Sequence, residues 1–246
     1  MKLALAAARF LRGLAHALGG LFTIVFVFPR LSEAQRQDRV QTWAAGLLRL
    51  VGITLEVRGA PVDGGPVLMV SNHLSWLDIL VLHAGRHCRF VAKAEVHHWP
   101  IVGRLASGAG TLFIERESRR DALRVVHHMA EALRAGDVLA VFPEGTTSDG
   151  QGVLPFHANL LQAAIAADAP VQPVALDYLE AATRRAARGP LYIGDDTLVG
   201  SIWRTLTGPP VVAVVRYGTL QRAGGRGRRA WAQALREAVQ ALRSAP

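Results

Sequence analysis

From residue 53 onward, short β-rich apolar runs alternate with stretches of helical spacing, and that alternation restricts the chain to a layered α/β architecture. The runs lie at 53–58, 67–71, 89–92, 111–115, 138–142, 171–176, 190–193 and 211–217, and the helical stretches at 76–84, 118–135, 158–167 and 228–243. Some connections are short, so the expected sheet is mixed, with helices flanking it. Pro/Gly-rich segments at 59–66 and 208–210 read as loops, which leaves 53–246 as one domain. At 246 residues the chain is long enough for a sizeable core, and no internal repeat divides it. In such sheets reactive groups gather in loops at strand ends.

The first 52 residues have a different character. Residues 13–28 carry no formal charge and as a helix would span about 24 Å, short of the ~30 Å hydrocarbon core of a bilayer. Lys2, Arg9 and Arg12 precede this stretch, and Arg30, Arg36 and Arg39 follow it. Positive charge on both flanks argues for a helix that enters one leaflet and returns, with a single spanning anchor as the alternative. No small-residue cleavage site precedes Pro29, which disfavours a signal peptide. Val40, Trp43, Ala44, Leu47, Leu48 and Val51 recur at helical spacing behind it. The expectation is a two-helix membrane-docking segment over 1–52. A formal charge of +9, with half the residues hydrophobic, suits an anionic membrane surface. The C-terminal stripe Trp231, Leu235, Val239 and Leu242 reads as core packing, with Arg226, Arg228 and Arg229 solvated or set against anionic lipid.

Two loops draw the chemistry. Asn72-His73-Leu74-Ser75-Trp76-Leu77-Asp78 follows the apolar run Val67–Val70, and Ser75 with Asp78 has the spacing of a capping box. Asp78 in a first helical turn could reach back to His73 on the preceding loop. A carboxylate that fixes one histidine tautomer makes a competent general base; a satisfied loop histidine is the plainer alternative. Phe142-Pro143-Glu144-Gly145-Thr146-Thr147-Ser148 follows Val138–Val141 in the same way.

Together these segments resemble the glycerolipid acyltransferase family, which carries Asn-His-x4-Asp and Phe-Pro-Glu-Gly-Thr blocks. Gly110–Arg116 resembles its second block and Val171–Leu176 its fourth, and Lys93, Glu95, Pro100 and Gly103 also match in place. The resemblance implies His73 as general base and Asp78 as its orienter. It implies that Arg116 holds an anionic acceptor head, that Glu144 and Gly145 shape the acceptor site with Asn72, Thr146 and Thr147, and that Pro173 supports acyl-chain or loop placement. The implied reaction moves a fatty acyl chain from acyl-ACP or acyl-CoA to the free hydroxyl of a lysolipid, first 1-acyl-sn-glycerol-3-phosphate. It needs no cofactor beyond that co-substrate, and the implied location is the cytoplasmic face of a bacterial inner membrane. Thr147 replaces the arginine usual after the third block, and His157 falls where a lysine is common, so two cations are missing. Some members with Gly-Thr-Thr resemble lyso-ornithine-lipid acyltransferases, which makes that lipid the alternative acceptor. A catalytically silent lipid-binding membrane protein is the non-enzyme alternative.

Other clusters carry less. The chain lacks a Gly-x-Ser-x-Gly elbow, and Cys88, its one cysteine, reads as packing. His83 and His87, His97-His98 and His127-His128 have no recognised ligand spacing, so no metal is expected. Gly224–Arg229 lacks an aromatic platform, so no nucleic-acid partner is expected.

Overall fold

The computed structural model describes residues 2–114 and 119–245. Helices α1 (Lys2–Phe22) and α2 (Glu33–Leu50) lead, joined by a π turn over Thr23–Val27 and a 3-10 turn over Phe28–Arg30. Ser32 caps α2 in a reciprocal capping box with Gln35. There follow β1 (Ile53–Arg58), β2 (Val67–Ser71), α3 (Leu77–Gly85), β3 (Arg89–Lys93), α4 (Ala94–His97), α5 (Val102–Gly108) and β4 (Leu112–Ile114). The rest is α6 (Arg119–Arg134), β5 (Val138–Val141), α7 (Leu161–Ala166), β6 (Val171–Glu180), α8 (Leu198–Thr207), β7 (Val211–Tyr217) and α9 (Arg228–Ser244).

The strands form one sheet in the order β1-β7-β6-β2-β5-β3-β4, and it is mixed: β7 runs antiparallel to β6, and every other pairing is parallel. Strand β2 is wholly buried, as a central strand covered on both faces must be. Its side chains alternate between two cores. Val67 and Met69 pack with Ala44 and Leu48 of α2 and Leu77, Val81 and Leu82 of α3. Leu68 and Val70 pack with Met129 and Leu133 of α6, Leu161 of α7, and Trp231 and Leu235 of α9. The C-terminal stripe is core, as its spacing predicts.

The N-terminal segment departs from expectation in two ways. Helix α1 begins at Lys2, so Arg9 and Arg12 lie on it, and the helical run Leu3–Arg30 is long and apolar enough to cross a bilayer. Helix α2 spends its apolar stripe inside the protein: Ala44 and Leu48 face α3, while Leu47 and Val51 lie against Gly13 of α1. His16 stacks on Trp43 with ring centroids 5.4 Å apart. The Trp43 indole N–H donates to the His16 carbonyl at 3.1 Å, and His16 Nε2 bonds the Trp43 carbonyl at 2.9 Å. The Arg9 guanidinium sits over Gly52, just past the C-terminal end of α2, where helix carbonyls favour a cation. The outward face of α1, with Leu3, Leu11, Leu14, Leu18 and Phe22, is left exposed.

Residues 190–193 form no strand. The Pro190 carbonyl accepts from Ser75 Oγ at 2.6 Å, and Tyr192 N–H donates to the Leu74 carbonyl at 3.0 Å. This apolar run therefore braces the loop after β2 instead of joining the sheet. Helix α8 behind it has no counterpart in the sequence reading; Ser201 Oγ accepts from the Trp76 indole at 3.1 Å.

Candidate active site

Register builds the site. β2 and β5 are parallel neighbours with Val70 opposite Val141, so their loops leave side by side on one rim of the sheet. His73 and Glu144 each lie three residues past that matched pair. The His73 backbone N–H donates to Glu144 Oε2 at 3.1 Å, and Ser148 N–H donates to the His73 carbonyl at 2.9 Å. The other Glu144 oxygen accepts from Leu154 N–H at 2.9 Å. Glu144 thus joins the loop after β2 to the loop after β5. Burial raises its carboxyl above the usual range, and the two N–H donors partly offset that.

Asp78 is fully buried and takes four donors. His73 Nδ1 lies 2.8 Å from Oδ2, which also accepts from Leu74 N–H at 2.6 Å and Ser75 N–H at 3.0 Å. Oδ1 accepts from the Tyr178 hydroxyl at 2.7 Å. An oxygen already ringed by N–H donors requires Nδ1 to carry its hydrogen, which leaves the lone pair on Nε2. The His73 side chain is 20 % exposed, and Nε2 has no hydrogen-bond partner among the described residues. Its ring lies parallel to Phe142, centroids 4.0 Å apart, and Phe142 in turn stacks on Phe90. The imidazole is therefore fixed in tautomer, in tilt and in outlook. Burial and the Asp78 charge push the Tyr178 phenol well above its ordinary range, so it stays a donor.

The capping box forms only in part. Ser75 N–H does reach Asp78, but Ser75 Oγ accepts from Leu77 N–H at 3.2 Å and donates to Pro190. The hydroxyl serves the bracing loop instead of the Asp78 amide.

Asn72 has a framework role. Its Oδ1 accepts from Leu176 N–H at 2.8 Å and its Nδ2 donates to the Leu176 carbonyl at 2.9 Å, all fully buried. The side-chain amide continues the β2–β6 ladder by one more rung where the backbone of β2 turns away. Pro173 lies within β6 opposite Val70, part of the sheet as well. Gly145 has φ +73°, a conformation that favours glycine, and a Cβ there would come within 2.9 Å of the His157 ring. His157 N–H donates to the Pro143 carbonyl at 2.7 Å, which places that ring beside the third block. Thr146 is exposed and Thr147 half-buried, both on this rim. Arg116 lies outside the described residues. Tyr178 and Phe142 complete the site and were not singled out from sequence: Tyr178 falls past the apolar run read as a strand, and nothing local links it to Asp78. No group of three or more metal-ligating side chains occurs among the described residues.

A buried carboxylate holds a histidine whose outer nitrogen faces a strand-end rim, an arrangement that suits general-base chemistry. The chain belongs to the acyltransferase family, whose model matches residues 38–177. It is 43 % identical over 163 residues to a 1-acyl-sn-glycerol-3-phosphate acyltransferase of Neisseria meningitidis, covering 66 % of this chain and 63 % of that protein. It is 40 % identical over 213 residues to a lyso-ornithine lipid O-acyltransferase of Pseudomonas aeruginosa, covering 85 % and 80 %. The structure of the 1-acyl-sn-glycerophosphate acyltransferase PlsC of Thermotoga maritima shares the fold, with a TM-score of 0.67, 20 % identity and 95 % of both chains covered.

Proposed function

We propose that this acyltransferase moves a fatty acyl chain from a thioester, acyl-ACP or acyl-CoA, to the free hydroxyl of a lysolipid at a membrane surface. The observation that carries the reading is His73, held through Nδ1 by Asp78 with Nε2 free on the rim. His73 Nε2 takes the acceptor's hydroxyl proton as that oxygen attacks the thioester carbonyl. The C–O bond forms, the C–S bond breaks as the tetrahedral intermediate collapses, and the imidazolium returns the proton to the departing thiolate. A thioester is activated already, so no covalent enzyme intermediate is needed. Asp78 stabilises the imidazolium while it exists.

The first acceptor is 1-acyl-sn-glycerol-3-phosphate, with Arg116 as the cation for its phosphate. Lyso-ornithine lipid is the second reading, favoured by Thr147 and His157 where cations would suit a phosphomonoester, and by the longer match to the Pseudomonas protein. The exposed apolar face of α1 and the charge of +9 support docking on the anionic cytoplasmic leaflet of a bacterial inner membrane. Purified protein offered both acceptors in competition, with either donor, should yield an acylated product read by mass spectrometry. His73→Ala should abolish that product without releasing the protein from vesicles. Transfer by His73→Ala at the wild-type rate would sink the mechanism.

A further inference from the structure

We propose that the polar face of α9 positions the general base. Arg236, Gln240 and Arg243 hold loop 150–154, and that loop fixes Glu144 and, through it, the backbone of His73. The inference rests on the acyl-transfer reading above.

Each link is a hydrogen bond. Spacings of four and three residues put the three side chains on one side of α9, while Trp231, Leu235 and Val239 face the core. Arg236 Nε donates to the Val153 carbonyl at 2.8 Å and to the Leu154 carbonyl at 3.2 Å. Gln240 Oε1 accepts from Val153 N–H at 3.0 Å, so α9 satisfies both backbone groups of that buried residue. Arg243 donates to the Gly150 carbonyl at 2.6 Å. Its guanidinium is itself fixed on Asp177 Oδ1 by bonds of 3.0 and 2.9 Å, with Arg216 on the other Asp177 oxygen at 2.7 Å. Leu154 then turns its remaining group, the N–H, to Glu144, and Glu144 accepts from His73.

The segment between β5 and α7 runs through residues 142–160 without regular structure, and a loop of that length needs anchors from elsewhere to keep one conformation. α9 supplies them. Arg236, Gln240 and Arg243 are therefore positioning residues: they touch no reacting atom, yet they set where Nε2 stands relative to the acceptor hydroxyl.

Full-length variants assayed for acyl transfer to lysolipids in mixed micelles test this. Gln240→Leu removes the acceptor for Val153 N–H, and Arg236→Met removes the donor to the two carbonyls. Each should lower kcat by about tenfold to a hundredfold while leaving KM for donor and acceptor within about twofold. Gln240→Glu keeps an acceptor in place and should bring kcat back near wild type. Leu235→Ala truncates the core face of the same helix without touching the loop. It should lower the melting temperature yet leave kcat unchanged well below the melt. Wild-type kcat in both Gln240→Leu and Arg236→Met overturns the positioning role. So does a Gln240→Glu variant as slow as Gln240→Leu, or an equal loss of kcat in Leu235→Ala. A wild-type protein that acylates none of the lysolipids offered overturns the acyl-transfer reading, and the positioning role with it.

Discussion

Asn72 and Asp78 bracket His73, and both are tied to the same strand. Asn72 pairs with the Leu176 backbone on both its N–H and its C=O, and Asp78 accepts from Tyr178 two residues further along β6. Each backbone group left unpaired in a buried ladder costs about 1–3 kcal/mol, so Asn72→Ala should lower unfolding stability by at least that amount. Asn72→Asp should be worse above the carboxylate range, since it sets a charge against the Leu176 carbonyl. Denaturant unfolding of the full chain in micelles would measure both, and a neutral Asn72→Ala would remove the ladder role assigned here. The sequence motif marks these residues but not their partners. Asn72 reads as a substrate contact until Leu176, 104 positions away, is seen beside it. His73 and Asp78 were legible because their contact spans five residues and turns on a helix start.

Among the elements, α3 carries a pH dependence. His83 near its end and His87 just beyond are buried, 5.3 Å apart between ring centroids. Burial depresses His83 to about 3, with the neighbouring His87 adding to the effect. Burial likewise lowers His87 to about 4. In the unfolded chain both titrate near 6.5. Between those values the unfolded state binds protons that the folded state does not, so stability is full above about 6.5 and falls as pH drops toward 4. The slope is up to about 1.4 kcal/mol per pH unit for each histidine. Thermal melts at pH 7.5 and 5.5 should show the drop, and His83→Leu with His87→Gln should flatten it. An unchanged slope in that double variant would remove these groups as its source. At this scale the strands at 53–58, 67–71 and 211–217 were legible to the residue, because the apolar–polar alternation of the first and the near-continuous apolar runs of the other two, each bounded by loops, admit little else. The run at 190–193 has the same local character but ends up pinned to Ser75 and Leu74 by contacts that no local pattern encodes. The polar face of α9 was hidden for a related reason: nothing near Arg236 or Arg243 in sequence points to loop 150–154, which lies against them.

Viewed as a whole molecule, the protein has α1 as its outer layer on one side. One stripe of that helix is committed to α2 through His16 and Trp43, and the opposite face is apolar and exposed. If that face holds the protein on lipid, Leu14→Glu with Leu18→Glu should shift it from the floating to the soluble fraction in flotation with anionic vesicles. Turnover of a short-chain, water-soluble lysolipid should be unaffected, because neither residue is part of the His73 site. Retention on vesicles by that double variant would count against α1 as the docking face.

Strand β6 also sets a timetable. Residues 72 to 78 and 142 to 148 leave the ribosome before the strand that anchors Asn72 and Asp78, and the α9 side chains that anchor loop 150–154 follow later still. If His73 is the base, a nascent chain carrying every motif residue still lacks its anchors, and the base becomes fixed only once β6 and α9 have folded against the loops.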